Sequence, residues 1–264
     1  MNLKFIKIFT ITLFILLTLI ILITKTEFTG IIYKKRINIT AYNLAKKFSI
    51  FIEKNVKEIK SLKEDALIRS AFIEAKLGSD LSRAEKQLNF YKSVYPQFLD
   101  IILLLPEKIP FLKTTTNITP VAYIINNERV INNAEKNGYG VSKIFISKKE
   151  NKLYIGIVEP VKNILNETMG YIIVFVDFTQ LLIWMKSYPE YRFYIFYNNK
   201  INFTNGDKEK EVIPIADVRN TPFSIGIKIS EEVFKIPLIL WIAWIFSLIG
   251  VLFIIYNKLF WSQK

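Results

Sequence analysis

Cysteine and histidine are both missing from this 264-residue chain. Without cysteine there is no disulfide framework, no thiolate metal site and no cysteine nucleophile, so the fold must hold together by burial alone. Without histidine the chain lacks the usual general base, the Ser-His-Asp triad, the commonest metal ligand and the ordinary pH switch. A phosphate-cradling G-x-x-x-x-G-K-S/T loop is absent too. Carboxylate pairs alone name no reaction, so an enzyme is not expected, nor a metal, nor a cofactor. Acidic residues are the scarcer charge: 36 Lys+Arg stand against 23 Asp+Glu, a formal +13. A field of that sign attracts anionic headgroups, acidic ligands or nucleic acid. Lysine is nevertheless spread along the whole chain beside abundant Ile and Asn, and no run of five or more like charges marks a nucleic-acid arm. The expectation is compositional bias and no nucleic-acid partner.

Apolar residues, 51% of the chain, concentrate in two uncharged runs, from about Ile8 to Thr24 and from about Ile236 to Tyr256. Runs of about 18 or more such residues read as membrane spans. Lys4 and Lys7 precede the first run, while Lys258 and Lys264 follow the second. Lysines in short tails set orientation, so both ends are expected in the cytoplasm. The stretch Thr24-Lys25-Thr26-Glu27-Phe28 offers no small-residue cleavage site, which makes the first run an uncleaved anchor. Trp241 and Trp244 near one boundary of the second run, with Tyr256 and Trp261 near the other, suit the headgroup layers. The expected map is a tail over 1–7, a span over 8–24, an extracytoplasmic domain over 25–235, a span over 236–256 and a tail over 257–264.

Between the runs, Ile37, Ala41, Leu44, Ala45, Phe48, Ile52, Val56, Ile59 and Leu62 recur every three or four residues, predicting an amphipathic helix over 33–63. At 1.5 Å per residue it would be about 45 Å long. A second helix is predicted from Asp65 to Leu77 with Gly78 as its stop, and a third, capped by Ser79 or Asp80, to about Tyr91. Phe98 to Leu105 is a compact apolar run ended by Pro106, which reads as a buried strand. Val121 to Ile125 reads as a second strand, and Asn127 to Lys136 as a short helix closed by Asn137-Gly138. A hairpin, Val141 to Ser147 with Lys152 to Glu159, follows. Met169 to Val176 is a further strand, and Asp177 with Gln180 resembles a capping pair opening a helix to Lys186. Beyond Tyr188-Pro189 a smaller unit is expected: strands over 191–197 and 200–204 across Asn198-Asn199, a turn at Asn205-Gly206, and a strand over 221–229. Ser230, Glu231 and Glu232 would cap the helix entering the second span, with Pro237 as a kink inside it.

This order, together with Arg129, Ala134, Gly138, the string Ile157-Val158-Glu159-Pro160-Val161, Gly170 and Val174-Phe175-Val176-Asp177, resembles bacterial Cache domains, the PAS-like sensor modules of chemoreceptors and sensor kinases. The likeness is best between Asn126 and Met185, about a quarter of the chain. It implies an α+β fold: two transmembrane helices flanking an antiparallel sheet, a long N-terminal helix, a larger unit over about 33–188 and a smaller membrane-proximal unit over 189–230. Pro106-Glu107-Lys108-Ile109-Pro110 departs from the acidic, Gly-containing turn usual in the family.

The resemblance also implies a ligand site. Many double Cache domains bind amino acids or amines through an Arg followed by two aromatics, an upstream Tyr and the Asp ending the last large strand. Arg forks onto a carboxylate, aromatic walls exclude water and Asp pairs with ammonium. Arg129 and Asp177 stand at the matching positions, Tyr123 is one residue off the upstream one, and Ile131 and Asn132 stand where the family has aromatics. Read from the residues alone, Arg129 also fits a solvated helix position, Asp177 a helix cap and Tyr123 a core aromatic.

The expected function is a two-pass sensor in the cell (cytoplasmic) membrane, binding a small organic ligand, with an amino acid or amine among the candidates. After Tyr256 only about eight residues remain, so the output is expected to pass through the membrane helices to a homodimer mate or a separate membrane signalling partner. The alternative is an envelope scaffold or accessory subunit that binds no small ligand, favoured if Arg129 and Asp177 do not converge on one cavity.

Overall fold

The amphipathic period over 33–63 does become a helix. In the computed structural model, which describes residues 3–25, 27–114, 121–147, 152–206, 212–230 and 238–261, α1 (Leu3–Lys25) is followed by α2 (Glu27–Glu64). α3 (Ala66–Leu77) starts where Asp65, in extended conformation, accepts hydrogen bonds from the Leu67 and Ile68 amides at 2.8 and 3.3 Å. It stops at Gly78, whose left-handed backbone closes the helix. α4 (Ser82–Val94) begins later than the spacing predicts: Asp80 folds onto the Ser82 amide and hydroxyl, and Leu81 takes the cap position without a side-chain bond.

Strands β1 (Phe98–Leu104), β2 (Pro110–Lys113), β3 (Gly140–Ser147), β4 (Lys152–Lys162) and β5 (Thr168–Asp177) form one antiparallel sheet in the order β2-β1-β5-β4-β3. Alternation along β5 gives the sheet two buried faces. Tyr171, Ile173 and Phe175 share a core with Ile124, Val130, Ile131 and Ala134 of α5 (Val121–Ile125) and α6 (Glu128–Asn137). The opposite parity meets the α2 to α4 layer, where Glu159 of β4 reaches Lys63 of α2 at 2.7 Å.

The strand expected at Val121 to Ile125 is therefore a helix. A short, uniformly apolar run carries no period to separate the two states. The helical turn continues through the bonds Asn126 N to Ala122 O and Asn127 N to Ile124 O, and it delivers Ile124 into the core. β2, not predicted, is an edge strand opened by a proline, the position where a missing amide is tolerated.

After α7 (Gln180–Lys186), strands β6 (Tyr191–Tyr197), β7 (Lys200–Thr204), β8 (Ala216–Asp217) and β9 (Phe223–Ile229) form a second sheet ordered β7-β6-β9-β8. Asn198 and Asn199 both take positive φ, 49° and 61°, making the two-residue turn between β6 and β7. Two-residue β8 went unpredicted. The turn over 148–151, residues Glu231, Glu232 and Pro237, and Lys264 lie outside the described residues.

Contacts divide the chain into two units, Thr40–Ile227 and Met1–Ile39 with Lys228–Lys264. Within the second, α1 packs against α8 (Leu238–Trp261): Phe14 stacks on Trp244 at 5.9 Å, and the Trp244 indole donates to the Thr18 hydroxyl at 3.0 Å. A Cβ on Gly250 would come within 2.9 Å of the Thr10 methyl, so a larger residue there would have to displace that side chain. Among the described residues one stretch is long and apolar enough to cross a membrane, Ile239–Tyr256, and a shorter apolar stretch, Ile8–Ile21, lies in α1. Two flanking spans are not confirmed by this.

Candidate functional site

α6 owes its position to two glycines. Gly138, left-handed at φ 84°, ends it, and Gly140 lets β3 pass beneath, since a Cβ there would lie 2.0 Å from the Val130 carbonyl oxygen. With Val130, Ile131 and Ala134 buried against the sheet, Arg129 at the first turn is left exposed. It faces a groove of about 370 Å³.

That groove is walled from both sheets. Tyr123 and Arg129 line it beside Lys143 of β3, and Tyr197, Lys200 and Asn202 contribute from the smaller sheet. The Lys143 ammonium lies over the Tyr123 ring, 4.3 Å from its centroid. Tyr123 in turn packs edge-on against Phe145 at 5.4 Å, and Phe145 stacks on Tyr154 at 5.6 Å. These rings fill the space between the sheet face and α5.

The same residues join the two sheets. The Asn202 side chain accepts from the Ile144 amide at 2.6 Å and donates to the Ile144 carbonyl at 3.2 Å, a two-point clamp of β7 on β3. The Tyr197 hydroxyl donates to the Val141 carbonyl at 3.0 Å. Burial pushes the Tyr197 phenol well above its ordinary pKa, the Tyr123 hydroxyl adds to this, and the Arg129 guanidinium pulls weakly the other way. Tyr197 therefore stays a neutral donor at physiological pH.

Of the five residues expected in a site, the structure brings Tyr123 and Arg129 together. Ile131, only 3% exposed, is a core residue on the opposite side of α6. Asn132 is solvent-exposed on that helix. Asp177 lines a different groove, of about 720 Å³, with Phe51, Asn55 and Trp184. There its carboxylate accepts from the Thr179 amide at 2.8 Å, which holds the turn into α7; Thr179 itself takes the cap position. Sequence reasoning missed Lys143, Tyr197, Lys200 and Asn202. The Asn198-Asn199 hairpin was readable, but no local signal tells that its strands face β3.

Comparison with known proteins gives a likeness of structure alone. No protein-family model and no curated protein matches the chain. Among solved structures, the extracellular domain of rpHK1S-Z16, a protein named as a histidine kinase, is similar with a TM-score of 0.52 at 7% identity, over 77% of this chain and 97% of that one. The ligand-binding domain of the Pseudomonas aeruginosa PAO1 amino acid chemoreceptor PctC, in complex with GABA, has a TM-score of 0.50 at 10% identity, over 76% and 100%. The ligand-binding domain of the Campylobacter jejuni chemoreceptor Tlp3, in complex with 4-methylisoleucine, has 0.48 at 13%, over 77% and 93%. The first two likenesses, taken with the antiparallel sheet and its helical layers, establish that this chain has the fold of the Cache-type sensor domains found in chemoreceptors and histidine kinases.

Proposed function

We propose that this protein is a membrane-anchored extracytoplasmic sensor that binds a small organic ligand in the groove between its two sheets and passes the signal through α1 and α8 to a signalling partner or a second copy. The observation that carries this reading is the groove itself: an open cleft on a sensor fold, with cationic and phenolic side chains drawn from both sheets and directed into it. Its volume, about 370 Å³, falls at the small end of ligand pockets, about 300–1,000 Å³. A ligand acts by binding one arrangement of the sheets better than another, and the Asn202 clamp and the Tyr197 bond are the joints that such a difference would work on. Membrane anchoring is supported by α8 and by its pairing with α1, whose outward residues Phe9, Leu13 and Leu16 are exposed apolar side chains, as are Ile242, Phe246 and Phe253 of α8. A two-pass topology follows if α1 crosses beside its partner.

The test is a thermal-shift screen of the detergent-solubilised full chain against amino acids, amines and organic acids, because a bound ligand raises stability by mass action. A hit whose shift disappears in Arg129→Ala supports the sensor. Absence of any hit at millimolar levels, with Arg129→Ala behaving as wild type, contradicts it.

One observation favours a second reading. Arg129 and Asp177 line separate grooves, as an envelope scaffold with no small ligand would allow. Recovery of a tightly bound membrane protein with the tagged chain, combined with a blank ligand screen, would select the scaffold.

A further inference from the structure

The class of ligand follows from charge. Three cations from three elements line the groove between the sheets: Arg129 on α6, Lys143 on β3 and Lys200 on β7. No carboxylate is among the described residues that line it. Glu128, next to Arg129 in sequence, lines the neighbouring groove with Ala122 and Asn126 instead. The ion pairs among the described residues, Lys54 with Glu58, Lys60 with Glu64, Lys63 with Glu159 and Lys162 with Glu135, use none of the three.

Like charges gathered in one cleft repel one another, and a cleft lined by one sign with low-dielectric walls concentrates counter-ions. The Lys143 ammonium is held over the Tyr123 ring, a contact that fixes its place without neutralising it. Two other polar groups of the groove are already used: both ends of the Asn202 amide are bonded to Ile144, and the Tyr197 hydroxyl to Val141. What remains for a ligand is a guanidinium fork, two ammonium groups, the Asn198 amide and the Tyr123 hydroxyl, so every formal charge the described lining offers is positive. An ammonium group on a ligand would find no carboxylate among the described residues to meet it.

We propose that the groove takes a small organic dianion, one negative end held by Arg129 of α6 and Lys143 of β3 and the other by Lys200 of the smaller sheet, so that the bound molecule ties the two sheets together. This deepens the sensor reading and rests on it: the ligand is an acid without an amine, and its two ends work on the same β3 to β7 joint that Asn202 closes. A dicarboxylate and a phosphate ester both meet the description.

The experiment is calorimetric titration of the full chain in zwitterionic nanodiscs with succinate, malate, glutarate, glycerol phosphate, GABA and butane-1,4-diamine. The expected result is binding of a dicarboxylate or of glycerol phosphate, weakened by added salt, with GABA and the diamine at least about tenfold weaker. Lys143→Gln and Lys200→Gln should each reduce the affinity for the best dianion by about tenfold, the scale of one charge-assisted hydrogen bond. Both variants should keep the wild-type circular dichroism and thermal midpoint. Whichever dianion binds better identifies carboxylate or phosphate as the source. GABA or the diamine binding as tightly as the best dianion overturns the proposal while leaving the sensor reading intact. Dianion binding that is unchanged in both lysine variants overturns it as well, since the site then lies elsewhere. Failure of all four dianions also overturns it, and the wider thermal-shift screen then decides separately whether the protein senses any ligand.

Discussion

Two places in the molecule gather lysine against the central sheet, and they are built oppositely. On the face covered by α2, Lys63 meets Glu159 at 2.7 Å, with the glutamate side chain 2% exposed and the lysine 24%. On the other side, Arg129, Lys143 and Lys200 converge on a groove open to solvent with no acidic partner among the described residues. A charge in the first setting has been taken out of water and matched. Charges in the second remain partly hydrated and unmatched. If the proposal holds, the contrast separates two uses of the same residue type: paired with a buried carboxylate, lysine serves the fold, and without an acidic partner among the described residues, it serves a ligand. Stability and binding should therefore come apart under mutation.

The strongest way to test that separation is Lys63→Met. It strands the Glu159 carboxylate in the interior, where one of its oxygens already has no partner, and breaking such a pair costs about 3–5 kcal/mol. Urea unfolding of the full chain in detergent measures it, and a loss below about 1 kcal/mol would mean the pair does nothing for the fold. The same site predicts the sign of a pH effect. Burial raises the Glu159 pKa above its ordinary 4.5 in spite of Lys63. The folded protein thus binds that proton more tightly than the unfolded chain, and this group's contribution to stability declines as pH rises from about 4.5 through the raised value. Glu159→Gln should flatten this part of the stability profile, and an unchanged profile would assign the slope to other groups.

Next in size is Gly140→Ala. The new methyl group would sit 2.0 Å from the Val130 carbonyl oxygen, forcing α6 off β3 at about 1–3 kcal/mol, and a neutral substitution would contradict the described packing. Asn202→Ala removes both bonds to Ile144, worth about 1–3 kcal/mol together, and should speed amide exchange at Ile144 more than in α3 or α4. At the small end, Arg129→Gln and Lys200→Gln should change stability by no more than about 0.5 kcal/mol, whatever they do to a ligand. A large stability loss in either would make these residues structural and erase the contrast.

Much of the scaffold was readable because its signals are local. Asp65 and Gly78 bracket α3 by side-chain and backbone chemistry confined to one helix, and the Asn198-Asn199 turn needs only residues that tolerate positive φ. Phe98 to Leu104 is buried almost throughout, as an uninterrupted apolar run implies. Val121 to Ile125 misled because five apolar residues suit a strand or a helix equally, and packing of Ile124 decided it. The site was legible only in part. Arg129 and Tyr123 stand out through the family likeness, but Ile131 belongs to the apolar stripe with Val130 and Ala134, which helical spacing assigns to the core. Lys143 and Asn202 gain meaning from a side-chain bond between the two sheets that bridges 58 residues, from Ile144 to Asn202, and no nearest-neighbour pattern encodes that. Asp177 is the clearest lesson: the capping pattern makes it the N-cap of α7, yet Thr179 takes that position and Asp177 instead accepts from the Thr179 amide in the turn before the helix, while the groove it lines depends on where α2 and α7 lie in space.

The central claim is that a small anion links the two sheets through the groove. Hydrogen exchange of the full chain in nanodiscs, with and without a saturating dianion, tests it most directly. Slowed exchange confined to residues 143–146 and 200–204 is the predicted result. Protection that appears instead around Phe51, Asp177 and Trp184, or no change at all, would contradict it.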